Sequence, residues 1–600
     1  MFVFLLATVI SGGVVVAGPS EASDDSLLPP ATEIEQAVSV DLPVDTDPAL
    51  PQRDRVLVPE PRLAELWGAA LKRDEAELQG EAARAIAEVH RRGFGGMAEL
   101  APLLASRLDE VEHPNARVAI IETCAALDVR EALPTIERLA REGDRAVVRA
   151  ADRAMAAMRH ADAAPFWAKR ILDEQASITM RRSAIRAMGH LGTQARGEPL
   201  LQVAGDAESP PSLRLEAARA LRQAGVTPSG FMATARGMSG SESWFDRLVG
   251  VTLLGAMQSE DKVELLTRFA DDPSPVVAAE ALRQLGDVRP AACLELRQKP
   301  WQREDANVRY QAARCLYAYG ESAAVEPLSG LLDDTDPAVR RLAHWALLRL
   351  SDAEGPSRAM LSNVERTLRQ ASWRGLERAA LLLGQWDHEP AASRLVELLE
   401  HDRAEVRLAA ATGLRRLAVR DTLPALLQRA ERITQRMQSM LQEETTLPGL
   451  AELDREQEQL FAAFGDMRYR EADALLRQYL PKDSFPSGSR TAAVWALGKI
   501  HAGRPDPSLA GVLRGRLSDT NIMEPESIDV RAHAAVALAR MGADGQAGVL
   551  RRFATGEESP DLLQAACRWG IEQLTGEPQP PLEPTEITPG GNWFLVPLQE

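Results

Sequence analysis

VRYQAARCLYAYG, residues 308–320, and VRRLAHWALLRLS, residues 339–351, decide the fold of this 600-residue chain. Aligned on Arg309 and Arg340 as position 0, they place small residues at about positions 2, 3 and 6. Leucine or methionine follows at 7, an apolar residue at 10, and often glycine near 11. Positions −1, 3, 6/7 and 10 share one face of a helix with 3.6 residues per turn. The frame returns as MRRSAIRAMGHLG from Met180, LRLEAARALRQAG from Leu213, VRLAAATGLRRLA from Val406, SRTAAVWALGKIH from Ser489 and VRAHAAVALARMG from Val530. Weaker copies begin near Gln79, Arg117, Val148, Arg247, Pro275, Arg374, Leu453 and Gln564, which makes fifteen frames, mostly 31 to 34 residues apart.

Upstream of most frames lies a second apolar pattern, such as AVEPLSGLLDD at 324–334 or AASRLVELLEH at 391–401. It predicts a first helix antiparallel to the framed one. Asp or Ser followed by Pro often separates the two, as in Asp336-Pro337, where the Asp caps the second helix and the Pro fits its first turn. One such pair cannot bury its own apolar face, but a stack of pairs makes a continuous core. Alanines on the framed face let neighbouring helices approach closely.

The frame resembles the HEAT family, especially the bacterial HEAT-like repeats also found in phycobilin lyases, over residues 61–576. The resemblance implies an all-α protein: a right-handed α-solenoid of about fifteen stacked helix pairs, an armadillo-type superhelix whose second helices line the concave face. Two stretches depart from the pattern. Residues 232–246 read as a loop inserted between pairs. Residues 421–480 read as elongated helices broken near Pro448-Gly449, either a lengthened repeat or a protruding hairpin that binds a partner.

The net charge of −18 is unevenly spread. Residues 19–60 carry ten acids and two Arg, and 577–600 carry four acids and no base, which leaves a mild −6 for the body. That body lacks the basic stripe of a nucleic-acid surface, so no nucleic acid is expected. Residues 19–60, rich in Pro, Asp, Glu, Ser and Thr, are expected to stay a disordered linker, because they cannot bury enough apolar surface to fold. Residues 577–600 read as a proline-rich tail. The N-terminal run to about Ala17 is too short for the ~20 residues of a membrane span. It reads as a signal peptide or N-terminal anchor over 1–18, with Val15-Val16-Ala17 as a cleavage site, although no Lys or Arg precedes it. An exported, periplasmic or membrane-tethered protein is the expectation, with a cytoplasmic one as the alternative.

No catalytic motif stands out. GFGGMA at 93–98 follows a helix rather than the strand a dinucleotide site needs, and there is no P-loop, G-x-S-x-G or H-E-x-x-H. Deoxyhypusine hydroxylase, a HEAT-like enzyme, holds iron with several His-Glu pairs, whereas this chain has only His388-Glu389. No metal, cofactor or enzymatic activity is expected. Cys124, Cys293, Cys315 and Cys567 are too scattered for a disulfide framework, with Cys293–Cys315 the one pair to check. Arginine at position 0 (Arg117, Arg181, Arg214, Arg247, Arg309, Arg340, Arg374, Arg407, Arg490 and Arg531) often follows an upstream acid and reads as a structural ladder.

Three of the five tyrosines lie on the opening stretch. In the geometry the resemblance implies, positions 1, 5 and 8 point away from the core. Tyr310, Arg314 and Tyr317 occupy them in one repeat, and Arg341 and Trp345 follow at positions 1 and 5 of the next. Trp495 and Trp569 hold position 5 in late repeats, while Tyr319, at position 10, should face the core. Aromatic rings with arginine are what protein-binding hot spots use. These seven residues are the candidate partner-binding wall, or else rings that fill gaps between alanine-rich helices. The expected function is a non-enzymatic scaffold for protein partners, with a small-ligand or client groove of the lyase or chaperone kind as the alternative.

Overall fold

The computed structural model describes residues 28–587, apart from 52, 58–61, 94, 258–259, 443–447, 483, 522, 556–558 and 581. The expected signal or anchor run at 1–18 lies outside the described residues. The chain divides into two compact units. One holds 55–299 with the chain end from 585, and the other holds 27–54 with 300–584.

All fifteen frames become helices. In the first unit they are Ala76–Arg91, Pro114–Ala126, Arg145–Ala157, Ile178–His190, Pro211–Ala224, Trp244–Leu254 and Pro275–Val288. In the second they are Ala306–Tyr319, Pro337–Ser351, Trp373–Gln385, Ala404–Leu417, Pro448–Asp466, Ser487–Ile500, Ile528–Met541 and Asp561–Thr575. Each is preceded by a first helix, shorter in most pairs, and within each unit consecutive second helices pack on one another. The fold is an all-α stack of HEAT-like pairs. The exception among the described residues is a pair of three-residue parallel strands in the first unit, β1 (Arg55–Leu57) and β2 (Thr585–Ile587).

Local chemistry explains the helix starts. Asp336 accepts from the backbone N–H of Ala338 at 2.8 Å and Val339 at 3.2 Å, with Pro337 in the first turn, as expected. Asp305 caps the preceding second helix through Val308 N–H. The position-0 arginines form the ladder. Arg181, Arg490 and Arg531 donate Nε to the carbonyls of Ile171, Tyr479 and Leu517 near the ends of the preceding first helices, at 2.9, 3.2 and 3.0 Å. Arg309 binds both oxygens of Asp334, at 2.6 and 2.8 Å. Arg374 departs from the ladder and lies over the Trp373 ring at 4.7 Å. A buried N–H…O bond of this kind nets about 1 kcal/mol, and more where the partner is a carboxylate.

Small residues set the spacing of the stack. A Cβ on Gly384 would lie 2.8 Å from Gly413 Cα, and one on Gly498 would lie 2.8 Å from Ala537 Cα. Gly498→Ala is therefore expected to lower stability by about 1–3 kcal/mol through overpacking. Gly515→Ala, in the Pro507–Leu517 helix with open space around its Cβ, should raise stability by about 0.5–1 kcal/mol. Urea unfolding of both variants checks the pair of opposite signs.

Two expectations change, and one open alternative is decided. Residues 232–246 are not a loop. Phe231–Ser239 is the first helix of a pair, burying Phe231, Ala235 and Met238 at a helical spacing that Gly237 and the Gly- and Ser-rich residues 239–243 after it obscure in the sequence. The elongated helices Leu423–Gln442 and Pro448–Asp466 form a lengthened repeat, because the second packs in line between Ala404–Leu417 and Ser487–Ile500. Buried Glu456 ties it in, meeting Arg407 at 3.0 Å and Arg429 at 2.7 Å. Finally, residues 28–54 do not form an unfolded linker. They contain a helix, Ala31–Ala37, and lie on the second unit. No helix among the described residues is long and apolar enough to cross a membrane.

Candidate functional site

The second helices of the second unit carry the expected wall, and residues 31–54 run along it as a strap. Its bonds recur at one frame position. Position 9 is basic in four repeats, and each of these residues holds a strap acid. Arg349 meets Glu33 at 3.4 Å, Arg416 meets Asp41, Lys499 meets Asp47 at 2.9 Å, and Arg540 meets Asp47 at 2.7 Å. Arg341, at position 1, lies 3.7 Å from Glu35. Past these pairs, Arg53 of the strap meets Asp561 at 2.9 Å.

The wall also holds the strap's main chain. Gln385 Nε2 donates to Ala37 O at 3.0 Å, and Gln459 Nε2 donates to Asp41 O at 3.0 Å. Arg415 donates to the same Asp41 carbonyl at 3.1 Å. His533 donates Nε2–H to Val44 O at 2.9 Å, and Trp495 Nε1 donates to Asp47 O at 2.7 Å. Gln385 is oriented from behind by the fully buried His344, whose Nε2 is 2.7 Å from Gln385 Oε1. Burial first, and then Arg378, pushes His344 down to about 3, so it stands neutral there with its proton on Nε2. Ile34, Val38 and Val44 are the apolar anchors of the strap.

This explains where the expected site residues are found. Trp495 is 0% exposed, covered by the strap on one side and packed on Gly465 on the other. Trp345, at 3% exposed, packs on Tyr317 with the rings tilted by 58° and their centroids 4.7 Å apart. Position 8 of one repeat thus fills the gap beside position 5 of the next, a ring pair worth about 0.5–1.5 kcal/mol beyond its buried area. Arg314, expected to point outward, is buried. Tyr310, Tyr317, Arg341 and Trp569 are half-buried. Burial pushes the Tyr310 hydroxyl up, against the pull of Arg314 and Arg341. Arg540 stands between the rings of Trp495 and Trp569, at 5.8 and 5.9 Å. Tyr319 does not enter the core: half-exposed, it donates its hydroxyl to Glu321 at 2.8 Å.

Reading positions 1, 5 and 8 missed the cations at 9. Their signal was present in Arg349, Arg416, Lys499 and Arg540, but they occur in alternate or late repeats and so look like ordinary solvated charges. The strap acids they meet are mostly about half-exposed, so each pair is worth about 0.2–1 kcal/mol.

Electrostatics under the strap are mixed. Burial raises the Asp41 carboxyl, but Arg416 and Arg415 outweigh it and hold it below the usual range. Burial pushes Asp45 up against the pull of His533. Beside it, burial and then the charges of Asp454 and Asp45 push Glu458 up to about 8 from an ordinary 4.5. Between those values the folded chain keeps a proton that the unfolded chain has released, so this group makes stability fall as pH rises from about 4.5 to about 8. The slope is at most about 1.4 kcal/mol per pH unit. Glu458→Gln is expected to flatten that part of the stability–pH curve, measured by urea unfolding at pH 5, 6, 7 and 8.

Other chemistry is sparse. His388 pairs with Glu365 at 2.7 Å rather than with Glu389, and no cluster of metal-binding side chains occurs among the described residues. The four cysteines are buried thiols, none in a disulfide. In the first unit, Arg149, Arg153, Arg182, Arg186 and His190 line an open cleft of about 430 Å³ between neighbouring second helices.

A family model described as HEAT repeats matches residues 295–357. No curated protein matches the sequence. Among solved structures, Kap95p with RanGDP is 11% identical at a TM-score of 0.48, covering 86% of this chain and 82% of that one. The Kap95:Nup1 complex is 14% identical at 0.49, covering 86% and 72%. Yeast importin-beta (Kap95p) is 15% identical at 0.46, also covering 86% and 72%. At these values nothing about the partners of those proteins carries over. Residues 295–357 are thus matched as HEAT repeats, and the frame they carry recurs through all fifteen second helices of an all-α stack.

Proposed function

We infer that this chain is a non-enzymatic scaffold that binds protein through the second-helix wall of its second unit, and that its N-terminal run takes it out of the cytoplasm as an exported or membrane-tethered protein. The observation that carries the reading is the strap itself. The wall already grips a stretch of polypeptide by both its side chains and its main-chain carbonyls, and it keeps Tyr310, Tyr317, Arg341 and Trp569 partly accessible, the residue types that hot spots favour.

The test is crosslinked affinity capture from the native cell, comparing wild type with Tyr310→Ala/Arg341→Ala after circular dichroism shows both folded. A partner captured by wild type and reduced in the variant supports the reading. Failure of wild type to capture any specific partner overturns it. N-terminal sequencing and fractionation of the mature protein test the location, and recovery of an intact N-terminus in the cytosol would overturn export.

A second reading rests on the arginine-lined cleft of the first unit, whose volume lies within the range of small-molecule sites. There the chain would hold a small anionic ligand. Arg149→Ala/Arg186→Ala should then abolish an anion-dependent rise in melting temperature, and no such rise in wild type removes the reading.

A further inference from the structure

We propose that the wall of the second unit is a receptor groove for an extended acidic segment of a partner protein, and that residues 31–54 are its displaceable resident. The proposal rests on the scaffold reading above and adds the chemistry of the partner.

Three observations carry it. The first is charge. The wall presents Arg349, Arg416, Lys499 and Arg540 at one repeated frame position, and an acidic segment lies across them with carboxylates at 33, 41 and 47. The second is main-chain recognition. Gln385, Gln459, His533 and Trp495 all meet backbone carbonyls, those of Ala37 at a helix end, Asp41, Val44 and Asp47, and carbonyls are groups a peptide offers regardless of its side chains. The third is that the strap fits incompletely. Among the described residues, Trp345 Nε1, Arg416 Nη1 and Arg540 Nη1 are buried donors with no acceptor. Trp345 holds the same frame position as Trp495, whose Nε1 does bind a strap carbonyl.

Buried donors without acceptors are costly, so a ligand that supplies acceptors to these three binds better than the strap. It must also overcome the strap's tether, which gives an effective concentration in the millimolar range. Filling the empty donors is how a partner segment gains that margin. The strap thereby sets a threshold, excluding weakly matched acidic peptides and yielding to well-matched ones.

The test uses the full chain and a fluorescein-labelled peptide of residues 28–54, read by anisotropy at low salt. Asp41→Asn/Asp47→Asn weakens the resident strap at exposed positions without touching the wall. This variant is expected to bind the peptide about tenfold tighter than wild type. Adding Arg416→Glu/Arg540→Glu should abolish binding, as should replacing every peptide acid by its amide. Circular dichroism and urea unfolding confirm that each chain folds, and Lys499→Glu serves as a milder wall variant if the double reversal does not.

Equal binding by wild type and the strap variant would overturn the proposal, as would equal binding of the amide peptide. Light scattering on the same samples separates one further source. A dimer that forms as the strap is weakened would make a second copy the occupant and overturn the partner assignment. Wall-dependent capture of a partner through a segment without acids would leave the scaffold standing and overturn this inference. Tight acidic-peptide binding with no captured partner would leave the groove's preference for acidic segments standing but overturn the scaffold reading, and with it the assignment of the occupant to a partner protein.

Discussion

Arg490→Ala is expected to lower the unfolding free energy by about 3–5 kcal/mol, the usual cost of breaking a buried ion pair by removing one partner. Arg490 and Glu526 are 4% and 1% exposed, and the guanidinium meets both carboxylate oxygens, at 2.7 and 2.6 Å. It also donates Nε to Tyr479 O. Among the described residues, alanine leaves the Glu526 carboxylate in place with Arg516, 3.2 Å away, and the Ser527 N–H to satisfy it. The loss should therefore fall toward the lower end of that range. Arg490→Ala/Glu526→Gln should recover part of it, since the stranded charge is removed. Guanidinium-chloride unfolding of the three chains measures both effects. A loss under about 1 kcal/mol for the single variant would show that this rung of the ladder is dispensable.

Trp495→Ala is expected to cost about 3–5 kcal/mol as well, for a different reason: it empties a large ring site in the core. The ring is packed so closely on Gly465 that a Cβ there would lie 2.3 Å from Cζ3. Lys499 and Arg540 sit 5.2 and 5.8 Å from its centroid, and both hold Asp47. Losing the ring therefore loosens the packing of neighbouring second helices and the strap together. Trp495→Phe separates the two contributions, because it keeps most of the ring and removes the donor to Asp47 O, for about 1 kcal/mol. Hydrogen exchange reads the strap directly. Amides near Asp47 should lose protection in both variants, whereas those of the Ser487–Ile500 helix should lose it only in Trp495→Ala.

Part of the geometry of this face was legible in the sequence. The face carrying positions 1, 5 and 8 follows from helical period alone, and Tyr317 and Trp345 do meet across neighbouring repeats. Their exposure was misjudged, because frame position states which way a side chain leaves its helix and says nothing of what lies against it. Trp495 is an outward-facing residue of its repeat and still has no accessible surface. Arg314 is covered in the same way.

The strap was illegible for a deeper reason. Its composition is that of chains that stay unfolded, and taken alone residues 31–54 have few apolar side chains with which to fold. Their order comes from cations and amide donors held in place by repeats that begin some 300 residues later. Complementarity between Asp41 and Arg416, or between Asp47 and Arg540, becomes visible only once both ends are placed.

By itself, then, the sequence determined the repeating unit. A frame of small and apolar residues at helical spacing, capped by Asp-Pro and tied by arginine, can bury its face only against a copy of itself, and that is a local, periodic constraint. Tertiary structure alone decided which outward faces stay open and that an acidic N-terminal segment closes the wall of the second unit. Those contacts join residues hundreds of positions apart, and no periodicity of the chain encodes them.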